Sequence, residues 1–327
     1  MAGIGAPERE EILLKLAAVD SGDIQFELLR EPSRPEELKG ASQALFFLKP
    51  ELLYPELDRE PVLVAVDRVL AGAGIEVGGI AVLGPARLAD TIAAHYGVIN
   101  RVSRLGLAAL SEAARAKLDE QFGAEIAAGK PVLGGHEVVD RYGVQPAELE
   151  GKLGTPTKLA PGTYAAPATL DGQELIVLNG FHPAQLDHFA EPAARVVALE
   201  VFWSDRTWAS FRTDVVGATK PENAVAGSVR AMLLAAQSEL GLGPVGVSAN
   251  GVHGSAGPIE AMVEISRFLG VPLEDTAVGA AALAASVPLA TLQSIASSDE
   301  DGGARQRLFD ATEEVEPATA IDHLARH

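Results

Sequence analysis

A histidine between two glycines is the first residue whose type and surroundings favour chemistry. His253 lies in the segment NGVHGS at 250–255, after a short apolar stretch and before a helical pattern, and Gly251 and Gly254 allow a ligand close to the backbone. A neutral imidazole is a good nucleophile near pH 7. Glu264 follows about three helical turns later, so its carboxylate can hold one ring nitrogen while the other reacts. The competing interpretation is a loop histidine in an ordinary polar contact.

Other segments of the chain accompany this histidine in a recognisable order. They are LKPE at 48–51, HY at 95–96, NGFHPAQL at 179–186 and GATKPENAVAGSVR at 217–230. Together with 250–255 they resemble the K-P-D, H-Y, P-F-F-x-x-L, G-x-T-N-P with G-T-I-R, and N-x-x-H-G-S segments of the nucleoside diphosphate kinase family. The resemblance covers about 43–97 and 179–270, which is less than half of the chain.

The resemblance implies a role for each matched residue. His253 would accept the γ-phosphate of a nucleoside triphosphate and pass it to a second substrate, and Glu264 would orient the ring. Asn250 would contact the sugar, and Phe181, or alternatively His182, would stack on the base. The residues expected to lie at the phosphates are Lys49, Tyr96, Arg212, Thr219 and Arg230. Phosphoryl transfer depends mainly on positioning and on cationic stabilisation, which suits such a set.

The resemblance also implies the ligands and the assembly. Mg²⁺ would enter with ATP or another nucleoside triphosphate, so we expect no metal site built by the protein. The partners would be a nucleotide and a small-molecule acceptor, and the chain would form a homo-oligomer. The fold would be α+β, with a ferredoxin-like antiparallel sheet interrupted by an inserted α/β subdomain.

Several positions depart from the family pattern. Glu51 stands for an aspartate, Lys220 for an asparagine, and Ala256 for an acidic residue, so the last change removes one charge beside His253. Arg212 lies one residue farther from Gly217 than the pattern requires. These changes leave three functions open: a general nucleoside diphosphate kinase, a kinase for a specialised metabolite, and a nucleotide-binding protein without catalysis.

The hydrophobic pattern predicts the elements that must position these residues. Apolar runs predict strands at 44–48, 75–83, 194–203 and 245–252, with helices at 60–73, 85–96 and 258–269 packed on one face of the sheet. Asp171-Gly172 predicts the turn of a β-hairpin over 163–178. The predicted organisation is an N-terminal extension (1–42), a catalytic domain (43–97 and 179–270), an insertion (98–178) that either shapes the cleft or decorates its rim, and a C-terminal extension (271–327). Residues 297–303 have the composition of a linker.

Composition narrows the class of protein. The chain has a net charge of −19, which disfavours nucleic acid as a partner, and it has no cysteine for disulfides or thiolate chemistry. Its longest run of small apolar residues, 278–287, is too short to cross a bilayer. We therefore expect a cytoplasmic protein that binds neither nucleic acid nor membranes.

Overall fold

The computed structural model describes residues 3–38, 40–96, 100–160, 162–297 and 302–326. These residues form a mixed α+β structure with antiparallel sheet and many helices, so this part of the sequence prediction is confirmed. The chain divides into two compact units, Met1–His95 with Phe189–His327, and Tyr96–His188.

The strands of the described residues belong to two sheets. In chain order they are β1 (Phe26–Arg30), β2 (Ser42–Leu48), β3 (Glu76–Leu83), β4 (Val132–Gly134), β5 (Thr157–Ala160), β6 (Thr163–Leu170), β7 (Gln173–Leu178), β8 (Val196–Trp203) and β9 (Val252–Gly254).

The α-helices of the described residues range from single turns to four turns. They are α1 (Ala6–Asp20), α2 (Pro35–Leu38), α3 (Arg59–Gly72), α4 (Pro85–Tyr96), α5 (Arg101–Leu105), α6 (Glu112–Ala127), α7 (Gly135–Tyr142), α8 (Pro146–Lys152), α9 (His182–Ala190), α10 (Trp208–Ser210), α11 (Val229–Ala235), α12 (Pro258–Leu269), α13 (Ala277–Ala284), α14 (Leu289–Ala296), α15 (Gly302–Thr312) and α16 (Pro317–Arg326). A π-helical segment, Phe211–Val216, continues α10.

The first unit is built on an antiparallel sheet with the strand order β1-β3-β8-β2-β9. Strand β2 lies near its centre, between β8 and β9, and every residue of β2 is buried. Burial without alternation is typical of a strand that is covered on both faces. The run of apolar residues in β2 therefore reflects its position between two layers of helix.

Helices cover both faces of this sheet, so the prediction that they pack on one face is wrong. Phe46 and Leu48 join a core with residues of α1, α3 and α11. Phe47 points to the opposite face, because successive side chains of a strand alternate. There its ring stacks on Phe268 of α12, with 5.1 Å between the ring centroids.

Both terminal segments contribute to the first unit. At the N-terminal end, β1 pairs with β3 at the sheet edge, and Ile12 and Leu16 of α1 are fully buried in the core. At the C-terminal end, α13, α14, α15 and α16 bury an apolar cluster against Ile259, Met262 and Val263 of α12. Helix α12 is thus packed between the sheet and the residues that follow it in the chain.

The segment after α15 is also hydrogen-bonded to residues next to His253. The backbone N–H of Glu314 donates to the carbonyl of Ala256 at 2.9 Å. The Glu316 carboxylate accepts from the backbone N–H of Trp208 at 3.0 Å. Gly257 lies so close to the carbonyl of Thr312 that a Cβ atom at this position would clash with it. These contacts tie the C-terminal segment to the start of α12 and to α10.

The second unit contains a mixed sheet with the order β4-β7-β6-β5, in which β4 and β7 are parallel. Strands β6 and β7 form the predicted hairpin, and Asp171 and Gly172 both have positive φ at its turn. Ile176 and Leu178 join a core with α6, whereas Leu175 and Val177 join another with Val138 of α7 and Leu149 of α8. The sheet of this unit therefore has its own helices on both faces.

One local prediction needs correction, and another falls partly outside the described residues. The strand predicted at 245–252 is instead an irregular segment followed by the short strand β9, because Gly246 and Gly251 interrupt the apolar pattern. Of the predicted linker, residues 298–301 lie outside the described residues, and α15 begins at Gly302.

We expect Leu292→Ala to lower the free energy of unfolding of the first unit by about 2–5 kcal/mol, the range for deleting a buried leucine side chain. Leu292 of α14 is fully buried in the cluster that packs on α12. Leu14→Ala is the matched control, because this leucine is 67% exposed, and its effect should stay within about 0.5 kcal/mol. Urea unfolding measures both variants, and equal effects would contradict the packing of the C-terminal helices on α12.

Candidate functional site

Pairing between β2 and β9 places His253 in the sheet. The register sets Phe46 opposite Gly254, Phe47 opposite His253, and Leu48 opposite Val252. The imidazole lies parallel to the Phe47 ring, with 4.6 Å between the centroids and 17° between the planes. Because Phe47 also stacks on Phe268, the aromatic pair fixes the plane of the histidine ring.

Glu264 holds one nitrogen of this ring. Its side chain is fully buried, and its Oε1 lies 2.8 Å from Nε2 of His253. Glu264 and Phe268 are one turn apart on α12, so a single helix face supplies both contacts. An ionised carboxylate only accepts hydrogen bonds, which favours the tautomer with the proton on Nε2 and the in-plane lone pair on Nδ1. The predicted pairing of His253 with Glu264 is therefore present in the structure.

Ser255 orients the other oxygen of Glu264. Its hydroxyl is within hydrogen-bond reach of Glu264 Oε2, and it accepts from the backbone N–H of Leu45 at 3.0 Å. The sequence prediction gave no role to Ser255. The signal was available in its spacing, because a residue two positions after His253 on a strand faces the same side.

Two arginines bind the backbone on either side of His253. Arg212 donates from Nη1 to the carbonyl of Gly254 at 2.6 Å. The buried Arg230 donates to the carbonyls of Gly217 at 2.8 Å and Val252 at 2.9 Å. Both guanidinium groups thus lie beside the histidine strand, where they anchor β9. Their expected contacts with phosphates stay predictions.

Lys49 lies at the end of β2 and is buried beside Asn250. Its Nζ donates to Asn250 Oδ1 at 2.8 Å, and its backbone N–H donates to the carbonyl of Gly251 at 2.9 Å. Burial lowers the pKa of Lys49 to about 8, Glu51 opposes this shift, and the charge of Arg230 adds to it. Glu51 itself accepts from the backbone N–H of Gly251 at 2.9 Å. The lysine is therefore a buried cation held next to the histidine strand.

Asn250 connects two loops to Lys49. Its Nδ2 donates to the carbonyls of Thr219 at 3.2 Å and Val247 at 3.1 Å, and its side chain is buried. Thr219 enters this network through its backbone, and the residue is exposed. The predicted sugar contact of Asn250 and phosphate contact of Thr219 stay predictions.

The residues expected to stack on the base, Phe181 or His182, belong to the second unit, and so does Tyr96, which was expected beside the phosphates. Phe181 belongs to the second unit, where its ring makes edge contacts with Tyr164 and His182. Burial lowers the pKa of His182 to about 3, and the nearby His136 adds to the effect, so His182 is neutral at physiological pH. The side chain of Tyr96 lies outside the described residues.

A carboxyl group from the first turn of α12 contacts the backbone of Ala256. The carboxyl group of Glu260 accepts from the backbone N–H of Ala256 at 2.7 Å. Burial, followed by the charge of Glu264, raises the pKa of Glu260 to about 8. A carboxyl group is therefore present beside this loop, and it is protonated at neutral pH.

Within the described parts of the chain, no group of three or more His, Cys, Asp or Glu side chains is arranged to bind a metal ion. Among the described helices, none combines the length and apolar character needed to cross a membrane.

Comparisons with known proteins give a weak structural likeness. No protein-family model and no curated protein matches the chain. A solved structure titled as an NDP kinase from Pyrobaculum aerophilum aligns with a TM-score of 0.31 and 14% sequence identity, over 70% of this chain and 95% of that chain. A likeness at this level assigns neither fold nor function to the chain.

We expect the free-energy difference between wild type and Lys49→Met to depend on pH. The pKa of Lys49 is 10.5 in an unfolded chain and about 8 in the folded protein. Between these values the unfolded chain holds a proton that the folded protein has released, so the contribution of Lys49 to stability increases as pH rises. The unfolding free energy of wild type minus that of Lys49→Met should rise by about 3 kcal/mol across this window.

Urea unfolding at several pH values measures this difference. Lys15→Met is the matched control, because it makes the same exchange at a surface ion pair with Glu27. A difference between wild type and Lys49→Met that stays constant across the window would show that the lysine charge is not buried.

Proposed function

We propose that this chain is a phosphotransferase of the nucleoside diphosphate kinase type, in which His253 carries the γ-phosphate of a nucleoside triphosphate to an acceptor. The observation that carries the proposal is the 2.8 Å contact between Nε2 of His253 and the buried carboxylate of Glu264. This contact favours the tautomer with its lone pair on Nδ1, and that lone pair can attack phosphorus. The ring is held by a rigid sheet and helix, as a nucleophile requires.

The order of the strands supports the fold expected for such an enzyme. Without the edge strand β1, the first sheet reads β9-β2-β8-β3, with α3 between β2 and β3 and α11 between β8 and β9. This is the β-α-β-β-α-β connectivity of a ferredoxin-like fold. The proposal includes this fold, with residues 98–178 inserted between its second and third strands.

The first half of the reaction transfers the phosphoryl group to the protein. The lone pair of His253 Nδ1 attacks the γ-phosphorus, a nitrogen–phosphorus bond forms, and the bond from phosphorus to the bridging oxygen breaks. The electron pair of that bond leaves with the nucleoside diphosphate. The imidazole gains positive charge in this step, and the Glu264 carboxylate stabilises it through Nε2. In the second half, an oxygen of the acceptor attacks the phosphohistidine and the imidazole leaves.

Cations near the histidine suit the charge of the transferred group. Lys49, Arg212 and Arg230 all contact residues within three positions of His253, in a chain whose net charge is −19. In the proposed reaction these cations would bind phosphate oxygens, and Thr219 would assist them. Mg²⁺ belongs to the substrate, because it arrives bound to the nucleotide.

The remaining roles follow the family resemblance. Asn250 would contact the sugar, Phe181 or His182 would stack on the base, and Tyr96 would lie beside the phosphates. The protein would act as a homo-oligomer in the cytoplasm. The acceptor is a nucleoside diphosphate, as in a general nucleoside diphosphate kinase, or a related phosphorylated metabolite, as in a specialised kinase. The alternative to these two kinases is a protein that binds nucleotides without transferring phosphate.

We expect incubation with Mg·ATP to leave a phosphate on His253 that is labile to acid and stable to base. His253→Asn should abolish the label, whereas His323→Asn, which changes a histidine of α16, should retain it. Intact-mass measurement and peptide mapping detect the modification. Undiminished labelling of His253→Asn would overturn the mechanism, and discharge of the label by a panel of acceptors would identify the second substrate.

We expect Lys49→Ala to raise the barrier to phosphoryl transfer by about 2–4 kcal/mol, by analogy with the loss of one preorganised donor to a developing charge. The rate of label formation in single-turnover conditions is the appropriate measurement, because it isolates the first half-reaction. Lys15→Ala, which removes a lysine from a surface ion pair, is the control. A Lys49→Ala protein that folds and is labelled at the wild-type rate would exclude the lysine from the site.

A further inference from the structure

Glu260 is a second buried carboxyl group in the neighbourhood of His253. It lies one turn before Glu264 on α12 and is 9% exposed. Its Oε2 accepts from the backbone N–H of Ala256 at 2.7 Å, three residues after the histidine. A carboxylate that only capped the helix would perform the same role in contact with water. Its burial beside another carboxyl group requires a further explanation.

The groups that face Glu260 come from three parts of the first unit. Glu264 is on α12, the same helix as Glu260, Arg212 is on the π-helical segment, and Glu313 follows α15. Burial raises the pKa of Glu260 to about 8, and the charges of Glu264 and Glu313 act in the same direction. The Ala256 amide and Arg212 act in the opposite direction. Two buried carboxyl groups one turn apart on the same helix oppose each other's ionisation, which favours the neutral form of Glu260 at neutral pH.

We propose that Glu260 is a positioning residue that sets the charge around the His253–Glu264 pair through its own protonation. When Glu260 is neutral, Glu264 is the one of the two glutamates that carries a negative charge, and this charge balances the positive charge that the imidazole gains. When Glu260 ionises, a second negative charge lies beside Glu264 and opposes the approach of a phosphate group. The inference rests on the proposed function of His253, but the coupling between the three side chains is measurable without phosphate transfer.

The test follows the ring nitrogens of His253 by NMR as pH is raised. The chain has seven histidines, so comparison with His253→Asn assigns the resonance. In wild type, the His253 shifts should show a step with a midpoint near the pKa of Glu260, about 8. Glu260→Gln, which keeps the shape and the acceptor for Ala256, should remove this step. Glu239→Gln changes an exposed glutamate and should leave it unchanged.

Lys49 is a rival source of the step, because its pKa is also about 8. Lys49→Arg keeps a positive charge throughout this range, so the step should persist in that variant. Persistence of the step in Glu260→Gln, or its absence from wild type, would overturn the inference. Glu260→Asp keeps a carboxyl group but shortens the side chain, so it should move the midpoint of the step in the His253 shifts. This variant provides the test if Glu260→Gln fails to fold.

The kinetic consequence is a change in the pH profile of His253 labelling. In the Lys49→Arg background, labelling should slow by about tenfold between neutral and alkaline solution, as expected for one added charge near the phosphate. Glu260→Gln in the same background should flatten this profile. If the NMR step behaves as expected but no variant is labelled, the coupling stands and the proposed function fails. If labelling occurs with an unchanged profile in Glu260→Gln, the function stands and the inference fails.

Discussion

The short pairing between β2 and β9 is the interaction on which the candidate site depends. It consists of three residue pairs, which alone is too little sheet to hold the backbone of His253 in place. Additional bonds secure both ends. Gly251 is bound by the Lys49 backbone and the Glu51 side chain, and Ser255 exchanges hydrogen bonds with Leu45. The backbone of His253 is therefore held in position by contacts of the neighbouring residues, which do not involve the His253 side chain.

Helix α12 is the second support of the site, and it combines conflicting requirements. Nearly all of its residues are buried, yet it carries two carboxyl groups, Glu260 and Glu264. Burial of an unpaired carboxylate would cost several kcal/mol. Glu264 is stabilised by hydrogen bonds to His253 and Ser255. Burial and the charge of Glu264 raise the pKa of Glu260, which favours the neutral form that is less costly to bury.

The sequence allowed part of this arrangement to be predicted for clear physical reasons. The apolar run of β2 and the helical spacing of Glu264 are local patterns, and the first indicated a buried strand whereas the second indicated the contact between Glu264 and His253. The anchoring of β9 by Arg212 and Arg230 was not predicted, because a side chain that binds a distant carbonyl leaves no local signal. The raised pKa of Glu260 was also not predicted, because it depends on burial beside Glu264, which the helical pattern does not reveal.

The helices of the first unit illustrate a second limit on what the sequence allows to be predicted. The sequence analysis placed the helices on one face of the sheet, whereas they cover both faces. Ile12 and Leu16 of α1 join the core on the face of Phe46, whereas α12 covers the face of Phe47. Such a choice depends on how the elements are connected in space, which a short sequence window does not contain.

The bonds from Glu314 to Ala256 and from Glu316 to Trp208 affect the order in which the protein is completed during translation. Both glutamates are synthesised about fifty residues after Glu264, and the domains of a growing chain generally fold as units. The first unit therefore cannot complete its fold until the segment that braces the start of α12 has been synthesised. A nascent chain that ends at Leu269 contains every strand of the first sheet but lacks the contacts that hold Ala256 and Trp208.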